Sequence, residues 1–284
     1  MKKTADPKAL RVFAEEIRVA TLEEFDVLGL GHVGGAMSIV ETLAVLYGGE
    51  MNIDPKNPQW EDRDRFVLSK GHAGPSVYAT LALKGYFPVA QLATLNRPHT
   101  DLPSHTDRNH TPGIDMTTGS LGQGASTAAG LAMAAKAMHK SYRTFLIVGD
   151  GESNEGQVWE MAQFAAHQKL DNLVLFVDWN KKQLDGTLED ISGGANFEEK
   201  FAAFGWDAQT VNGHDIPAIQ AALARAFAVE GKPHCIVLDT IKGHGCDIAE
   251  RTADNHSITF KKEDILHSIE LAKDVLAKAK AEVE

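Results

Sequence analysis

The sequence has little cysteine, no block of basic residues and no long apolar run, and each absence argues against a class of protein. Its 284 residues include only two cysteines, Cys235 and Cys246. That is too few for the disulfide framework of a small secreted protein and fits a reducing, cytoplasmic setting. The most apolar helical stretch, residues 128–138, is short and is interrupted by Lys136. We expect it to be a buried helix and not a membrane span.

The charge of the chain argues against two classes of partner. The formal net charge is −11, and lysine and arginine do not cluster anywhere along the sequence. We therefore expect neither nucleic acid nor a membrane surface as a partner. An anionic ligand is still compatible with this charge, because backbone amides, histidine and Mg²⁺ bind phosphate locally.

Three apolar runs dominate the hydrophobic pattern, at residues 144–148, 173–177 and 235–239. Continuous apolar runs are typical of parallel strands that are buried on both faces. An amphipathic helical pattern around residues 158–165 separates the first two runs, and a shorter strand is expected at residues 65–69. The alternation of strands and helices predicts an α/β fold: a single doubly wound domain over residues 1–284 with a mostly parallel sheet.

Other segments carry weaker signals. Asp6 followed by Pro7 predicts a helix start, and a second helix is expected at roughly residues 37–47, after a glycine-rich loop around His32. Residues 96–121 have no hydrophobic period, and so long an irregular segment in a compact domain is usually functional. A helix of small residues is expected directly after it, at residues 122–137.

Polar side chains follow two of the predicted strands where those strands end. Asp150 lies between two glycines directly after residue 148, and Asn180 follows the next strand 30 residues later. Both should project from the edge of the sheet where ligands bind in doubly wound folds. A carboxylate, an amide oxygen and a nearby backbone carbonyl suit Mg²⁺ or Ca²⁺. A Gly-Asp-Gly triplet alone is usually an ordinary turn, but its pairing with an asparagine after the next strand is far rarer.

These residues resemble a known family. The triplet at 149–151 with Asn180 at this distance looks like the thiamine diphosphate signature. Four further motifs resemble transketolase and occur in that family's order over roughly residues 10–256. They are Gly31-His32 with Ser38, LSKGHA at 68–73, LPSH at 102–105 and TTGSLGQG at 117–124. The resemblance implies the thiamine diphosphate-binding fold of the domain that holds the diphosphate, called the PP domain.

The resemblance also implies which residues hold the cofactor. Side chains of Asp150 and Asn180, with the carbonyl of Lys182, would bind Mg²⁺, for which Ca²⁺ or Mn²⁺ may substitute. The remaining cofactor contacts implied by the family pattern are Gly151 and His72, and, near the aminopyrimidine, Gly119, Ser120 and Leu121. Glu155 would lie at an interface, in a carboxylate network that joins two active sites.

Histidines are the implied catalytic groups. His32, His72 and His105 would line the substrate channel, where imidazoles that titrate near neutrality suit proton transfer between hydroxyl and carbonyl oxygens. A later catalytic histidine is assigned to His256, with His244 as the alternative, because Ser257 stands where the family more often has glycine. A zinc site from His99, His105 and His110 lacks a recognised ligand spacing. The histidines expected only at the surface or in packing are His139, His167, His214, His234 and His267.

The resemblance covers only the first domain of a full-length transketolase. The pyrimidine-binding domain, with the glutamate that activates the cofactor, is expected on a separate C-terminal subunit, in a heterotetramer with two copies of each chain. The expected reaction moves a two-carbon ketol unit from a ketose phosphate to an aldose phosphate. The alternatives are a split transketolase for a specialised sugar (apulose phosphate or a sulfo-sugar), a related deoxyxylulose phosphate synthase, a shortened chain and a non-catalytic orphan subunit.

Overall fold

A parallel sheet lies at the centre of the computed structural model, which describes residues 5–194 and 196–283. In chain order the strands are β1 (Leu30–Gly31), β2 (Arg65–Leu68), β3 (Thr144–Gly149), β4 (Leu173–Trp179), β5 (Lys182–Gln183), β6 (Gly186–Thr187), β7 (Asp207–Asn212), β8 (His234–Asp239) and β9 (Ile258–Thr259). Five of them pair side by side in the order β2-β3-β4-β8-β7, and every pairing among these five is parallel. Two small antiparallel pairs, β1 with β9 and β5 with β6, lie outside this sheet.

Helices connect the strands and cover the sheet. They are α1 (Pro7–Leu28), α2 (Val33–Met37), α3 (Val40–Val45), α4 (Gly74–Lys84), α5 (Gln123–Ala137), α6 (Gly156–His167), α7 (Leu188–Ser192), α8 (Phe197–Ala203), α9 (Ile216–Ala226), α10 (Asp247–Arg251) and α11 (Lys262–Ala281). The carboxylate of Asp6 caps α1 by accepting from the backbone N–H of Lys8 at 3.1 Å, as its sequence position predicts. None of the helices in the described ranges combines the length and the apolar character that a membrane crossing requires.

Successive residues of each central strand face opposite sides of the sheet, and helices cover both sides. Phe145 and Ile147 of β3 pack in one apolar cluster with residues of α1, α3, α4 and α9. Leu146 and Val148 pack in a second cluster with residues of α5, α6 and α8. Because both faces are buried, β3 is buried at every position. The prediction of an α/β fold with a mostly parallel sheet is confirmed.

The register of the central pair determines where the polar residues lie. β3 and β4 pair from Thr144 with Leu173 to Gly149 with Asp178. Asp150 and Asn180 come just after these last paired residues, so both lie at the same edge of the sheet. Residues 96–121, expected to be irregular, contain no helix or strand in the structure.

Two expectations about local structure are wrong. The helix expected at residues 37–47 is divided into α2, α3 and a π-helical turn, Leu46–Glu50. Ser38 lies at the break, where its hydroxyl donates to the carboxylate of Asp178 at 2.7 Å. The glycine-rich loop after α1 is also shorter than expected, because α2 begins at Val33 and takes up Gly34 and Gly35.

One strand of the sheet was not predicted from the sequence. β7 is polar, with Gln209 and Thr210 at its centre, and it pairs only with β8, at the edge of the sheet. The two cysteines, in β8 and directly before α10, are both free and buried.

Candidate active site

A cavity of about 320 Å³ opens at the carboxyl ends of β3 and β4. It collects residues from distant parts of the chain, because several loops meet at this edge of the sheet. Nearly all of the predicted site residues line it: His32, His72, His105, Gly119, Leu121, Asp150, Gly151, Glu155, Asn180, Lys182 and His256. Ser120 is the exception; it is exposed and does not line the cavity.

Asp150 is a buried carboxylate that two backbone amides hold in place. Its Oδ1 accepts from the N–H of Gly151 at 2.8 Å, and its Oδ2 accepts from the N–H of Lys181 at 2.6 Å. Burial and the neighbouring charge of Asp178 raise the pKa of Asp150 to about 7. A divalent cation would offset this effect, because each carboxylate oxygen still has a lone pair to offer.

Two further residues that line this cavity have oxygen atoms of the kind that bind cations. The amide nitrogen of Asn180 donates to Oδ2 of Asp178 at 2.8 Å, so its oxygen is the atom available to a cation. Lys182 lines the same cavity, and its carbonyl oxygen lies 3.3 Å from the ammonium of Lys242. One carboxylate, one amide oxygen and one carbonyl are the hard oxygen donors that Mg²⁺ or Ca²⁺ prefers. The residues present therefore fit a divalent cation.

A buried ion pair that was not predicted from the sequence holds this edge together. The ammonium of Lys70 donates to Oδ2 of Asp178 at 2.6 Å and to the carbonyl of Gly35 at 2.7 Å. Asp178 also accepts from the hydroxyls of Ser38 and Thr240. Burial alone would raise the pKa of Asp178, but Lys70 and these hydroxyl donors hold it below its ordinary value.

Lys242 is a second cavity residue that was not predicted from the sequence. It is 5% exposed, and burial lowers its pKa to about 8, so its ammonium is still mostly charged at pH 7. Its nitrogen lies 3.4 Å from Nδ1 of His256 and reaches the carbonyls of Lys182 and Gln183. A cation at this place suits an anionic ligand such as a diphosphate.

Gly151 allows two parts of the cavity lining to lie close together. A Cβ atom at this position would lie 2.7 Å from Cβ of Gln183, so a larger residue would push the β5–β6 hairpin away. The missing side chain lets this hairpin, which also lines the cavity, pack closely against the backbone after β3.

Four imidazoles cluster in the same cavity. Ring centroids lie 5.6 Å apart for His32 and His72, 5.7 Å for His32 and His105, and 4.7 Å for His72 and His256. Burial lowers the pKa of all four, with Lys242 as a further cause for His256, whose pKa falls to about 4. All four are therefore neutral at pH 7, and each can accept one proton and donate another.

The structure distinguishes between the two late histidines. His256 lines the cavity, whereas His244 packs on His214 with ring centroids 3.8 Å apart and lies outside it. The three histidines of the alternative zinc site, His99, His105 and His110, do not form a ligand cluster in the described ranges.

Glu152 is also buried, and it fastens the loop that carries Gly119 and Leu121. Its Oε1 accepts from the hydroxyl of Ser69 and from the N–H of Gly122, and its Oε2 accepts from the N–H of Gly149 at 3.0 Å. Glu155, three residues on, is exposed at the start of α6, beside this loop. Its carboxylate is thus available to a neighbouring chain.

Comparison with known proteins identifies the family. Residues 10–273 match the family described as transketolase, thiamine diphosphate binding domain. The chain belongs to the transketolase family. One relative is the 6-deoxy-6-sulfo-D-fructose transketolase subunit SqwG of Clostridium sp. (strain MSTE9), 52% identical over 250 residues, which cover 88% of this chain and 91% of the relative. Another is an apulose-4-phosphate transketolase subunit of Actinobacillus succinogenes, 37% identical over 86% of this chain and 88% of the relative.

Solved transketolases show the same fold. The enzyme from Leishmania mexicana superposes with a TM-score of 0.86 at 29% identity, over 99% of this chain and 46% of that chain. The chain thus spans less than half of this transketolase but about nine tenths of the two relatives named as subunits. As a transketolase domain that binds thiamine diphosphate, it carries the cavity at the position where doubly wound folds bind ligands.

Proposed function

We propose that this chain is the N-terminal subunit of a two-chain, Mg²⁺-dependent transketolase. The observation that carries the proposal is that oxygen donors from Asp150, Asn180 and Lys182 line one cavity together with four neutral imidazoles. In the reaction, the C2–C3 bond of a ketose breaks, and its two-carbon ketol fragment forms a new bond to the aldehyde carbon of an acceptor. Residues 1–284 would form one domain of a cytoplasmic enzyme.

The first task of these residues is to bind the cofactor. Thiamine diphosphate supplies the nucleophilic carbon and the electron sink when it is bound. Asp150, Asn180 and the carbonyl of Lys182 would hold Mg²⁺ against its diphosphate. The Lys242 ammonium and the N–H groups around Gly151 would offset the remaining negative charge.

The second task is proton transfer. Breaking and forming the carbon-carbon bond moves protons between hydroxyl and carbonyl oxygens of the sugar. His32, His72 and His256 would donate and accept these protons, because neutral imidazole has one N–H and one lone pair. His105 is the exposed member of the cluster and would contact the sugar at the mouth of the cavity.

The partner in this proposal is a C-terminal subunit with the pyrimidine-binding domain, in a heterotetramer with two copies of each chain. Two relatives that match most of this chain are named as subunits, which supports a partner chain. The exposed Glu155 beside the cavity is the residue that would reach across the interface.

The donor sugar has two candidates. A ketose phosphate of pentose metabolism is the general one for a transketolase. The second candidate is 6-deoxy-6-sulfofructose, which the sequence identities favour over apulose 4-phosphate. The chain is 52% identical to a subunit that is named for the sulfo-sugar and 37% identical to a subunit that is named for apulose 4-phosphate.

The test begins with capture of the tagged chain from its own host and identification of its partner by mass spectrometry. The two chains are then assayed together, with Mg²⁺, thiamine diphosphate and an aldose phosphate as acceptor, on xylulose 5-phosphate and on 6-deoxy-6-sulfofructose as donors. We expect ketol transfer from one donor by the mixture and none by either chain alone. Full activity of the lone chain would exclude the two-chain arrangement, and recovery of no pyrimidine-binding partner would support an orphan subunit.

A further inference from the structure

A cluster of charged and polar side chains outside the cavity forms hydrogen bonds with the turn that carries Lys242. Arg18 of α1, Glu41 of α3 and His214 after β7 are all buried or nearly so, with side-chain exposures of 3%, 7% and 13%. None of them lines the cavity. They have no part in the proposed cofactor binding or in the proposed proton transfer.

The hydrogen bonds of this cluster converge on Glu41. Its Oε1 accepts from Nη2 of Arg18, and its Oε2 lies 3.1 Å from Nδ1 of His214. Burial alone would raise the pKa of Glu41, but Arg18 and His214 hold it below its ordinary value. Glu41 is therefore ionised, and it fixes the orientation of both partners.

Each partner of Glu41 holds one end of the turn at residues 241–244. Nε2 of His214 accepts from the backbone N–H of Ile241 at 2.9 Å. Nη1 of Arg18 donates to the carbonyl of His244. The turn closes on itself through the N–H of His244 and the carbonyl of Ile241. Both ends of the short segment that carries Lys242 are thus tied to the same buried carboxylate.

The hydrogen bonds of this cluster argue against a role in metal binding. Glu41, His214 and His244 each bring one ligand atom to within 4.8 Å of the others. However, Nε2 of His214 is occupied as the acceptor for Ile241, so a neutral His214 carries its proton on Nδ1, the atom that faces Glu41. The guanidinium of Arg18 already pairs with this carboxylate through Nη2, and its Nε donates to Glu15 at 3.1 Å.

We propose that Arg18, Glu41 and His214 are positioning residues that set the affinity for the cofactor by holding Lys242 in place. Lys242 connects the turn to the cavity: its ammonium reaches the carbonyl of Lys182 and Nδ1 of His256. Its own carbonyl accepts from the side chain of the residue before His256. A shift of the turn would therefore move a cation and an imidazole of the cavity together. This inference rests on the proposed function, since it assumes that the cavity binds thiamine diphosphate.

The two ring nitrogens of His214 allow the positioning role to be tested by a matched pair of substitutions. The amide of glutamine reaches the place of Nε2, so H214Q can still accept from Ile241. The amide of asparagine is shorter and replaces only Nδ1, so H214N keeps the contact with Glu41 but releases the turn. His234→Asn, at the opposite end of β8, is the control for general loss of stability.

The measurement is calorimetric titration of thiamine diphosphate with Mg²⁺ into the complex of the full chain and its partner. We expect H214N to raise the dissociation constant by about tenfold, the effect of one hydrogen bond that positions a charge. H214Q and His234→Asn should change it by less than about twofold. Arg18→Lys releases the other end of the turn and should raise the dissociation constant as H214N does. It replaces H214N in the test if H214N does not fold.

A double-mutant cycle shows whether the effect passes through Lys242. In the Lys242→Met background, H214N should have no further effect on the dissociation constant. Equal dissociation constants for H214N and H214Q, or a full effect of H214N without Lys242, would overturn the inference. A wild-type complex that does not bind thiamine diphosphate would instead overturn the proposed function, and the inference with it.

Discussion

The amide nitrogen of Asn180 donates to Oδ2 of Asp178, two residues earlier in the chain, at 2.8 Å. This bond determines which end of the Asn180 amide is available in the cavity. With the nitrogen directed at Asp178, the oxygen accepts from the N–H of Lys182 at 3.2 Å and keeps one lone pair for a cation. A buried carboxylate that does not line the cavity thus selects the chemistry of its neighbour.

Replacing Asp178 with asparagine should weaken both the fold and the cofactor site. Lys70 would lose its buried counter-charge, and removal of one partner of a buried ion pair costs about 3–5 kcal/mol. We expect a lower melting temperature, measured by circular dichroism, and weaker Mg²⁺-dependent binding of thiamine diphosphate. Asp274→Asn, an exposed position on α11 outside the cavity, should change neither. Equal stability of the Asp178→Asn variant and the wild type would contradict the assignment.

Asp150→Asn should reduce cofactor binding without unfolding the chain. The substitution keeps the volume of the side chain but removes the charge that would bind Mg²⁺. We expect the dissociation constant for thiamine diphosphate with Mg²⁺ to rise about 10- to 100-fold in a calorimetric titration. Asp185→Asn, on the exposed hairpin between β5 and β6, is the matched control. Unchanged affinity in a folded Asp150→Asn variant would remove Asp150 from the metal site.

Glu152→Gln tests the loop that carries Gly119 and Leu121. An amide nitrogen would face one of the three donors that Glu152 now satisfies, which leaves a buried donor without an acceptor. We expect a loss of about 1–3 kcal/mol in the free energy of unfolding, measured with urea. Glu160→Gln, an exposed position on α6, should leave this free energy unchanged. A difference below about 0.5 kcal/mol between the two variants would argue against this role of Glu152.

The free energy of unfolding should depend on pH in part through the protonation of His256. Its pKa falls from the ordinary 6.5 to about 4 in the folded chain. Between these two pH values the unfolded chain binds more protons than the folded chain, so the free energy of unfolding rises with pH. The stability that the neutral imidazole contributes is therefore lost as the pH falls from 6.5 towards 4. In urea titrations at about pH 7, 6 and 5, His256→Gln should lose less stability than the wild type.

The control for this pH series is His139→Gln, because His139 is exposed and lies outside the cavity. It should keep the pH dependence of the wild type. The assignment of His256 as a buried, neutral imidazole would be wrong if its variant had the same slope as this control.

The sheet was predictable where burial on both faces leaves a continuous apolar run. β3, β4 and β8 follow this pattern, and their order of appearance was enough to place Asp150 and Asn180 at one edge. β7 was not predictable, because an edge strand can be polar and its identity depends on its pairing with β8. At the break in the second helix, the hydroxyl of Ser38 donates to a residue 140 positions away, a contact that no local pattern reveals.

The site residues that were not predicted share one cause. Lys70 and Asp178 pair across 108 residues of sequence, and no local spacing reveals that contact. Lys242 lies in a turn beside glycine and histidine, and only its burial in the folded chain distinguishes it from an ordinary surface lysine. Charge in the core is a property of tertiary structure, and hydrophobic periodicity does not report it.

The strand order has a consequence for how the chain folds. Two pairings in the five-stranded sheet join residues far apart in sequence: β2 pairs Arg65 with Thr144, and β4 pairs Val174 with His234. Long loops must close before such pairings form, and folding rates fall as contacts become less local. Refolding from denaturant should therefore be slow. Since Asp150 and Asn180 follow β3 and β4, the two proposed metal ligands come together only once these strands have paired.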